Sequence, residues 1–418
     1  MTQLDWHADR GDLAGLVQFD RSPEDADIDL AAVRAWRQGR VRAEMARRGI
    51  DAVILMDPVN IRYATGARNM QVFSMRNGPA RYLVMTADRA ILYEFTGALH
   101  LAEGLETIDE VRPAVTASFV AAGPDIADRE RRWANDMAAT LRGLVGNRPK
   151  VGIERMNGGT ALALSDAGIH LVDAQEPVEM ARAIKSAEEM KCVNASLRAT
   201  ERGVAELRAA IRPGLTEAEL WSVLHRSIIA QNGDYVETRL LNSGTRTNPW
   251  FQETGDKLIG ENELIALDTD VVGCHGYYSD FSRTFHAGPG KPTPLQREMY
   301  RIAHEQVHHN MGILRPGMSF RDYADAAWDI PEKYHVHRYY LSAHGCGMTG
   351  EYPYLYHRGD FPDAGYDGEI LPGMTLCVES FIGEAGGAEG VKLEQQVLIT
   401  ETGVELLSRF PFEDALLE

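Results

Sequence analysis

The chain has 418 residues, with 43 Lys and Arg against 61 Asp and Glu, a formal net charge of −18. An apolar fraction of 44% with 25% charged residues is that of a globular chain of two or three domains, and excludes disorder throughout. The acidity, with no basic patch to offset it, disfavours nucleic acid or an anionic membrane surface as a partner.

The start, MTQLDWHADRGDL, is acidic and lacks the basic-then-apolar order of a secretory signal, and the first ~30 residues read as an arm. From Asp29 to Arg48 apolar residues fall at helical spacing (Leu30, Val33, Trp36, Val41, Met45), and Gly49 stops that helix. Ala52–Met56 is a short buried strand ended by Asp57-Pro58, and further strands are predicted over 81–85, 90–94 and 150–153, with a long helix over ~126–145. This alternation predicts helices packed on a mixed sheet. The Met-rich stretch Asn69–Met75 reads as core packing or a loop anchor.

A different texture begins near Lys185. Ser186 with Glu189 is a capping-box pattern opening a helix to ~211, ended by Pro213-Gly214, and Thr216 with Glu219 opens another. Antiparallel strands, a helix pair (~293–314 and ~319–334) and more strands follow. The expected division is 1–183, a lid or dimerisation domain, and 184–418, the site-bearing domain. No run approaches the roughly 20 apolar residues of a membrane span. The four cysteines (Cys192, Cys274, Cys346, Cys377) form no C-x-x-C, so a reducing cytoplasm is the expected compartment.

The second part carries a constellation of acids. Asp268 and Asp270 lie in an apolar run, and strand alternation puts them on one face, roughly 7 Å apart. Two such carboxylates are costly to desolvate unless a cation lies between them. Asp280 returns on the next strand, His344 sits in a Gly-rich bend, and Glu379 and Glu394 each lie inside an apolar strand. One imidazole with five carboxylates suits divalent Mn, Fe, Co or Zn, and the set is large enough to bridge two ions about 3.5–4 Å apart.

The order D…D…H…E…E resembles the methionine aminopeptidase/Xaa-Pro peptidase/creatinase superfamily. So do G-Y-x-x-D-x-x-R-T at Gly276–Thr284, P-G-M at Pro372–Met374 and L-E-x-x-V-L-I-T at Leu393–Thr400. The likeness spans about residues 30–415. It implies an α+β architecture: a C-terminal pita-bread domain preceded by a smaller α/β creatinase/prolidase-like domain. It also implies metal ligands at Asp268 or Asp270, Asp280, His344, Glu379 and Glu394. Within the superfamily, Asp57–Thr65, Glu237–Leu241, Asn248–Glu253 and the paired acids of Asp268-Thr269-Asp270 are most similar to DddP-type dimethylsulfoniopropionate lyases, so both acids are kept in the metal shell.

The resemblance is incomplete in two places. Peptidase members use two further histidines, where this chain has Trp250 or its neighbours and Glu351. The lyases carry an Asp base six residues after the metal His, where this chain has Gly350. Elimination needs a positioned base, whereas hydrolysis needs an acidified water and a carboxylate to take its proton. The leading expectation is therefore a dinuclear-metal hydrolase cutting a C–N bond in a small or dipeptide-like substrate. Glu379 is expected as the proton acceptor with Glu351 second, and Trp250 and Tyr277 as substrate contacts. A lyase of the DddP type and a non-catalytic binding protein remain as alternatives. The resemblance also implies a homodimer, with Trp36, Arg62, Tyr63 or Phe73 as contacts.

Overall fold

The computed structural model describes residues 27–69 and 79–418. The predicted arm, Phe73 and most of the Met-rich stretch lie outside these. Asp29 caps α1 (Leu30–Arg47) by accepting from the Ala32 N–H. β1 (Ala52–Leu55) is fully buried, and Asp57, expected only to end the strand, also caps α2 (Pro58–Thr65), with Pro58 in the first turn where its missing N–H costs nothing. β2 (Tyr82–Thr86), β3 (Ala90–Glu94), β4 (Glu110–Pro113), β5 (Lys150–Ile153) and β6 (His170–Asp173) complete a six-stranded sheet of order β4-β3-β2-β1-β5-β6. Its pairs are antiparallel at β1–β2 and β2–β3 and parallel elsewhere, the mixed sheet that the alternation predicts. Trp133, Met137 and Leu141 of α3 (Ile126–Val145) close one face over Ile54 and Val84.

The other face does not end a domain core. Val53 and Leu55 belong to one apolar cluster with Val33 and Val41 of α1 and with Leu197, Val204, Leu220 and Leu224 further along the chain. These last residues lie on α6 (Ala187–Ala210) and α7 (Glu217–Ala230), both opened by complete capping boxes at Ser186 and Thr216. The link between sheet and α6 runs through α4 (Gly158–Asp166) and α5 (Gln175–Arg182).

Beyond α7 the strands are antiparallel. β7 (Tyr235–Val236), β10 (Val271–Val272) and β11 (Tyr278–Ser279) form one small sheet, and β8 (Leu241–Ser243), β9 (Leu264–Asp268) and β12 (Ser282–His286) another. β13 (Ala343–Cys346), β14 (Gly350–Leu355), β15 (Thr375–Gly383), β16 (Gly390–Ile399) and β17 (Val404–Leu406) form a five-stranded sheet of order β14-β13-β15-β16-β17. α8 (Pro294–Ile313) packs across β15 and β16.

Two expectations are corrected here. The helix predicted over ~319–334 stops after α9 (Phe320–Ala326), where Ala327 turns to extended backbone and the Trp328 N–H bonds to Asn310 Oδ1 at 2.8 Å instead of a helical carbonyl, and a short 3-10 turn covers Glu332–His337. Arg62 and Tyr63, offered as contacts between subunits, turn inward: Arg62 pairs with Asp234, and Tyr63 donates to the Ala181 carbonyl at 2.9 Å. Trp36 is 39% exposed. No helix among the described residues is long and apolar enough to cross a membrane.

Candidate metal centre

The small sheets and the five-stranded sheet meet at a cavity of about 320 Å³, lined by Asp268, Asp270, Asp280, His344, Glu379 and Glu394. All six side chains proposed from the sequence thus face one space. The first two arrive by a route that alternation does not describe. β9 ends at Asp268, opposite Ser282 of β12, and Asp270 has φ of +39°, so the backbone turns sharply between strands. Asp270 is held there by two hydroxyls, Thr238 donating to Oδ2 and Tyr278 donating to Oδ1 at 2.7 Å. Asp280 follows β11, its own N–H bonded to Gln396 Oε1 at 3.1 Å.

The five-stranded sheet supplies the rest. His344 pairs with Cys377 across β13–β15, and Glu379 lies directly opposite Glu394 across β15–β16. His344 Nδ1 lies 2.9 Å from the Gly345 carbonyl, which can only accept, so Nδ1 donates there and Nε2 is the ring nitrogen turned to the cavity. That nitrogen is 3.1 Å from Glu379 Oε1, 3.5 Å from Asp280 Oδ2 and 3.6 Å from Glu394 Oε1. Like charges directly opposite across a ladder are destabilising, and Lys392 answers part of the cost. Its buried Nζ lies 2.8 Å from Glu379, 3.2 Å from Glu394 and 3.3 Å from Asp268. Burial works against that ammonium, but Asp268, Glu379 and Glu394 more than offset it and hold its proton well above the usual lysine range.

One ammonium does not balance five carboxylates. Burial pushes Asp280 well up, with Glu394 adding to it, and burial with the neighbouring Asp268 charge pushes Asp270 up to about 8. Among the described residues, Asp280 Oδ1 is buried without a hydrogen-bond partner, and Glu379 Oε1 and Glu394 Oε1 face only His344 Nε2. Buried oxygens of this kind are costly unless a cation or donor meets them. Ligand atoms converge in three overlapping groups: Asp268/Asp270/Asp280, Asp268/Glu379/Glu394, and Asp280/His344/Glu394 with Cys377. The donor set fits hard or borderline divalent ions. The Cys377 thiol, raised chiefly by burial, stays protonated and lies 3.7 Å from the Asp280 carbonyl.

Three expected contacts lie elsewhere. Glu351 does not line the cavity: its buried carboxylate is clasped by Arg182 at 2.9 Å and by Lys185. Tyr277 is a core residue whose hydroxyl donates to Glu189 at 2.7 Å. Trp250 packs behind the site on Phe381, ring centroids 5.9 Å apart, with Lys392 Nζ over its face at 5.8 Å. The aromatic wall is instead made by Phe251, Tyr339, Tyr340 and Tyr354, with centroids 5.0–6.3 Å apart along that order. Glu237, Thr238, Thr349 and Gly350 also line the cavity. Lys392 was detectable in principle: it precedes Glu394 by two residues on one strand, hence on the same face.

With this geometry in view, the comparisons with known proteins define the class. Residues 191–401 match the model of metallopeptidase family M24, and residues 37–184 match the creatinase/prolidase N-terminal domain. The chain belongs to family M24 and has its α+β pita-bread architecture behind a creatinase-type N-terminal domain. The fold is also that of the Xaa-Pro dipeptidase from Bacillus anthracis, with a TM-score of 0.73 at 22% identity, covering 91% of this chain and 99% of that one.

Within the family it stands close to the dimethylsulfoniopropionate lyases DddP. It is 32% identical to that of Roseobacter denitrificans, over 100% of this chain and 92% of the relative. It is 33% identical to that of Roseovarius nubinhibens, over 93% and 88%.

Proposed function

We propose that the chain is a metal-dependent hydrolase that cuts a C–N bond in a small, dipeptide-like substrate. The observation that carries this is the convergence of buried carboxylate oxygens of Asp280, Glu379 and Glu394 on the cavity-facing Nε2 of His344, next to a wall that presents glycine at position 350. Asp268, Asp270, Asp280, His344, Glu379 and Glu394 would hold two divalent ions. Bound ions of this kind supply Lewis-acid polarisation and a water acidified toward neutrality.

The protein's own groups do the rest. Lys392 anchors Glu379 through Oε2, leaving Oε1 turned to the cavity to accept the water's proton and return it to the leaving nitrogen. Burial pushes Tyr340 up to about 12, so its hydroxyl keeps its proton at neutral pH and can donate to a developing oxyanion. The Phe251–Tyr339–Tyr340 wall suits a substrate ammonium.

A second reading has one specific observation in its favour. The DddP relatives match nearly the whole chain at 32% and 33% identity, which favours elimination from dimethylsulfoniopropionate. Incubation with Mn, Fe(II), Co or Zn and either Xaa-Pro dipeptides or dimethylsulfoniopropionate separates the two. Expected are free proline, reduced at least about 100-fold in Glu379→Gln, and no headspace dimethyl sulfide above buffer. Dimethyl sulfide without proline reverses the assignment.

A further inference from the structure

The cavity at the centre has a larger neighbour. A chamber of about 550 Å³ lies between β14 and the N-terminal half, and Thr349, Gly350 and Tyr354 line both spaces. Gly350 is exposed, and a Cβ built on it would meet no atom within 4 Å, so the strip between the two spaces is open there. A side chain at 350 would enter open space beside both.

The chamber is polar and acidic. Asp57 is matched by Arg155 at 2.9 Å, and Arg182 is taken by Glu351. Glu179 has only a share of the same guanidinium, at 3.7 Å. Glu154 is buried with no cationic partner among the described residues: its oxygens accept from the Met56 and Asp57 N–H groups at 3.2 Å and from Asn60 Nδ2 at 2.7 Å. A buried carboxyl supported only by neutral donors is a place where a ligand cation gains most, since its charge is screened little by water.

We propose that the two spaces form one substrate cleft with Gly350 as its open saddle, and that the substrate is an elongated peptide-like molecule whose far end is cationic. This rests on the reading of the carboxylate–histidine centre as the place where the bond is cut. Gly350 then sets substrate length, and Glu154 with Glu179 sets the preference for an ammonium or guanidinium at the far end.

The test is calorimetric titration of the Mn-loaded protein with Ala-Pro-Arg and Ala-Pro-Leu, alongside proline release from Ala-Pro. The wild type is expected to bind Ala-Pro-Arg about 10-fold tighter than Ala-Pro-Leu. That ratio is expected to collapse toward one both in Gly350→Val, which plugs the saddle, and in Glu154→Gln, with thermal melting confirming that each variant folds. A ratio near one in the wild type, its persistence in either variant, or no binding of either peptide overturns the proposal. Arginine preference without proline release removes the hydrolase reading alone. Proline release without arginine preference removes this inference alone.

Discussion

Lys392 shows how one residue makes a costly arrangement tolerable. Glu379 and Glu394 face each other on adjacent buried strands, and like charges directly opposite across a ladder are destabilising. The ammonium touches only one oxygen of each glutamate, so the other oxygens remain free to face the cavity. Glu154 is the opposite case, a buried acid with no counter-ion. Burial, with Asp57 nearby, pushes it from an ordinary 4.5 up to about 7. The groups facing it are Asp57, the Asn60 amide and, beyond them, Arg155 and Arg182. Because the folded state holds this proton more tightly than the unfolded chain, its stabilising contribution is complete below pH 4.5 and is lost as pH rises through 7. The loss is about 3 kcal/mol by linkage. Glu154→Gln carries no such proton. The stability of this variant relative to wild type, from urea unfolding, is therefore expected to rise by about that amount between pH 4.5 and 8. A flat difference would mean that Glu154 titrates in the folded protein as it does in the unfolded chain.

At the scale of elements, capping chemistry positions the frame. Ser186 accepts from the Glu189 N–H at 3.1 Å and Glu189 Oε2 accepts from the Ser186 N–H at 3.0 Å, while Glu189 Oε1 takes the Tyr277 hydroxyl. The cap thus fixes α6 and also ties it to the segment leading into β11. Ser186→Ala is expected to cost about 1 kcal/mol, read as a lower urea midpoint with unchanged slope. A change of slope would place the effect in the unfolded ensemble instead. This box was legible because it depends on two residues three apart, as were β1 and the glutamates of β15 and β16, whose apolar flanks leave a strand little choice. Tyr277 was misread for the converse reason: its identity says nothing of which way the hydroxyl points, and the partner that decides it is 88 residues away. Trp250 erred by one position, since Phe251, not the buried tryptophan, reaches the cavity. Asp268 and Asp270 both line the cavity, but not by strand alternation, since a positive φ at Asp270 interrupts it.

The whole molecule is joined through polar groups that sequence periodicity cannot detect. Arg182, at the end of α5, and Lys185, just before α6, converge on Glu351 of β14. Asn60 of α2 carries the network on, accepting from Arg182 at 2.9 Å and donating to Glu154 at 2.7 Å. Every member is buried, so the interface between the N-terminal sheet and the pita-bread sheet contains a satisfied ion cluster rather than only the apolar contacts of α1 and α6. Such a cluster adds little over a well-packed apolar one, but removing a single partner leaves the others charged and unmatched in a low-dielectric site. Glu351→Ala strands two cations at once and is expected to lower unfolding free energy by about 3–5 kcal/mol. A catalytic role for Glu351 would instead leave stability nearly unchanged and cut the turnover of correctly folded protein. Urea unfolding and proline release normalised to folded protein therefore separate the two roles. The geometry requires the first outcome, because the carboxylate has both oxygens engaged by Arg182 and Lys185 and lies outside the metal cavity. Loss of turnover with an unshifted midpoint would restore Glu351 to the reaction and require β14 to move when substrate binds.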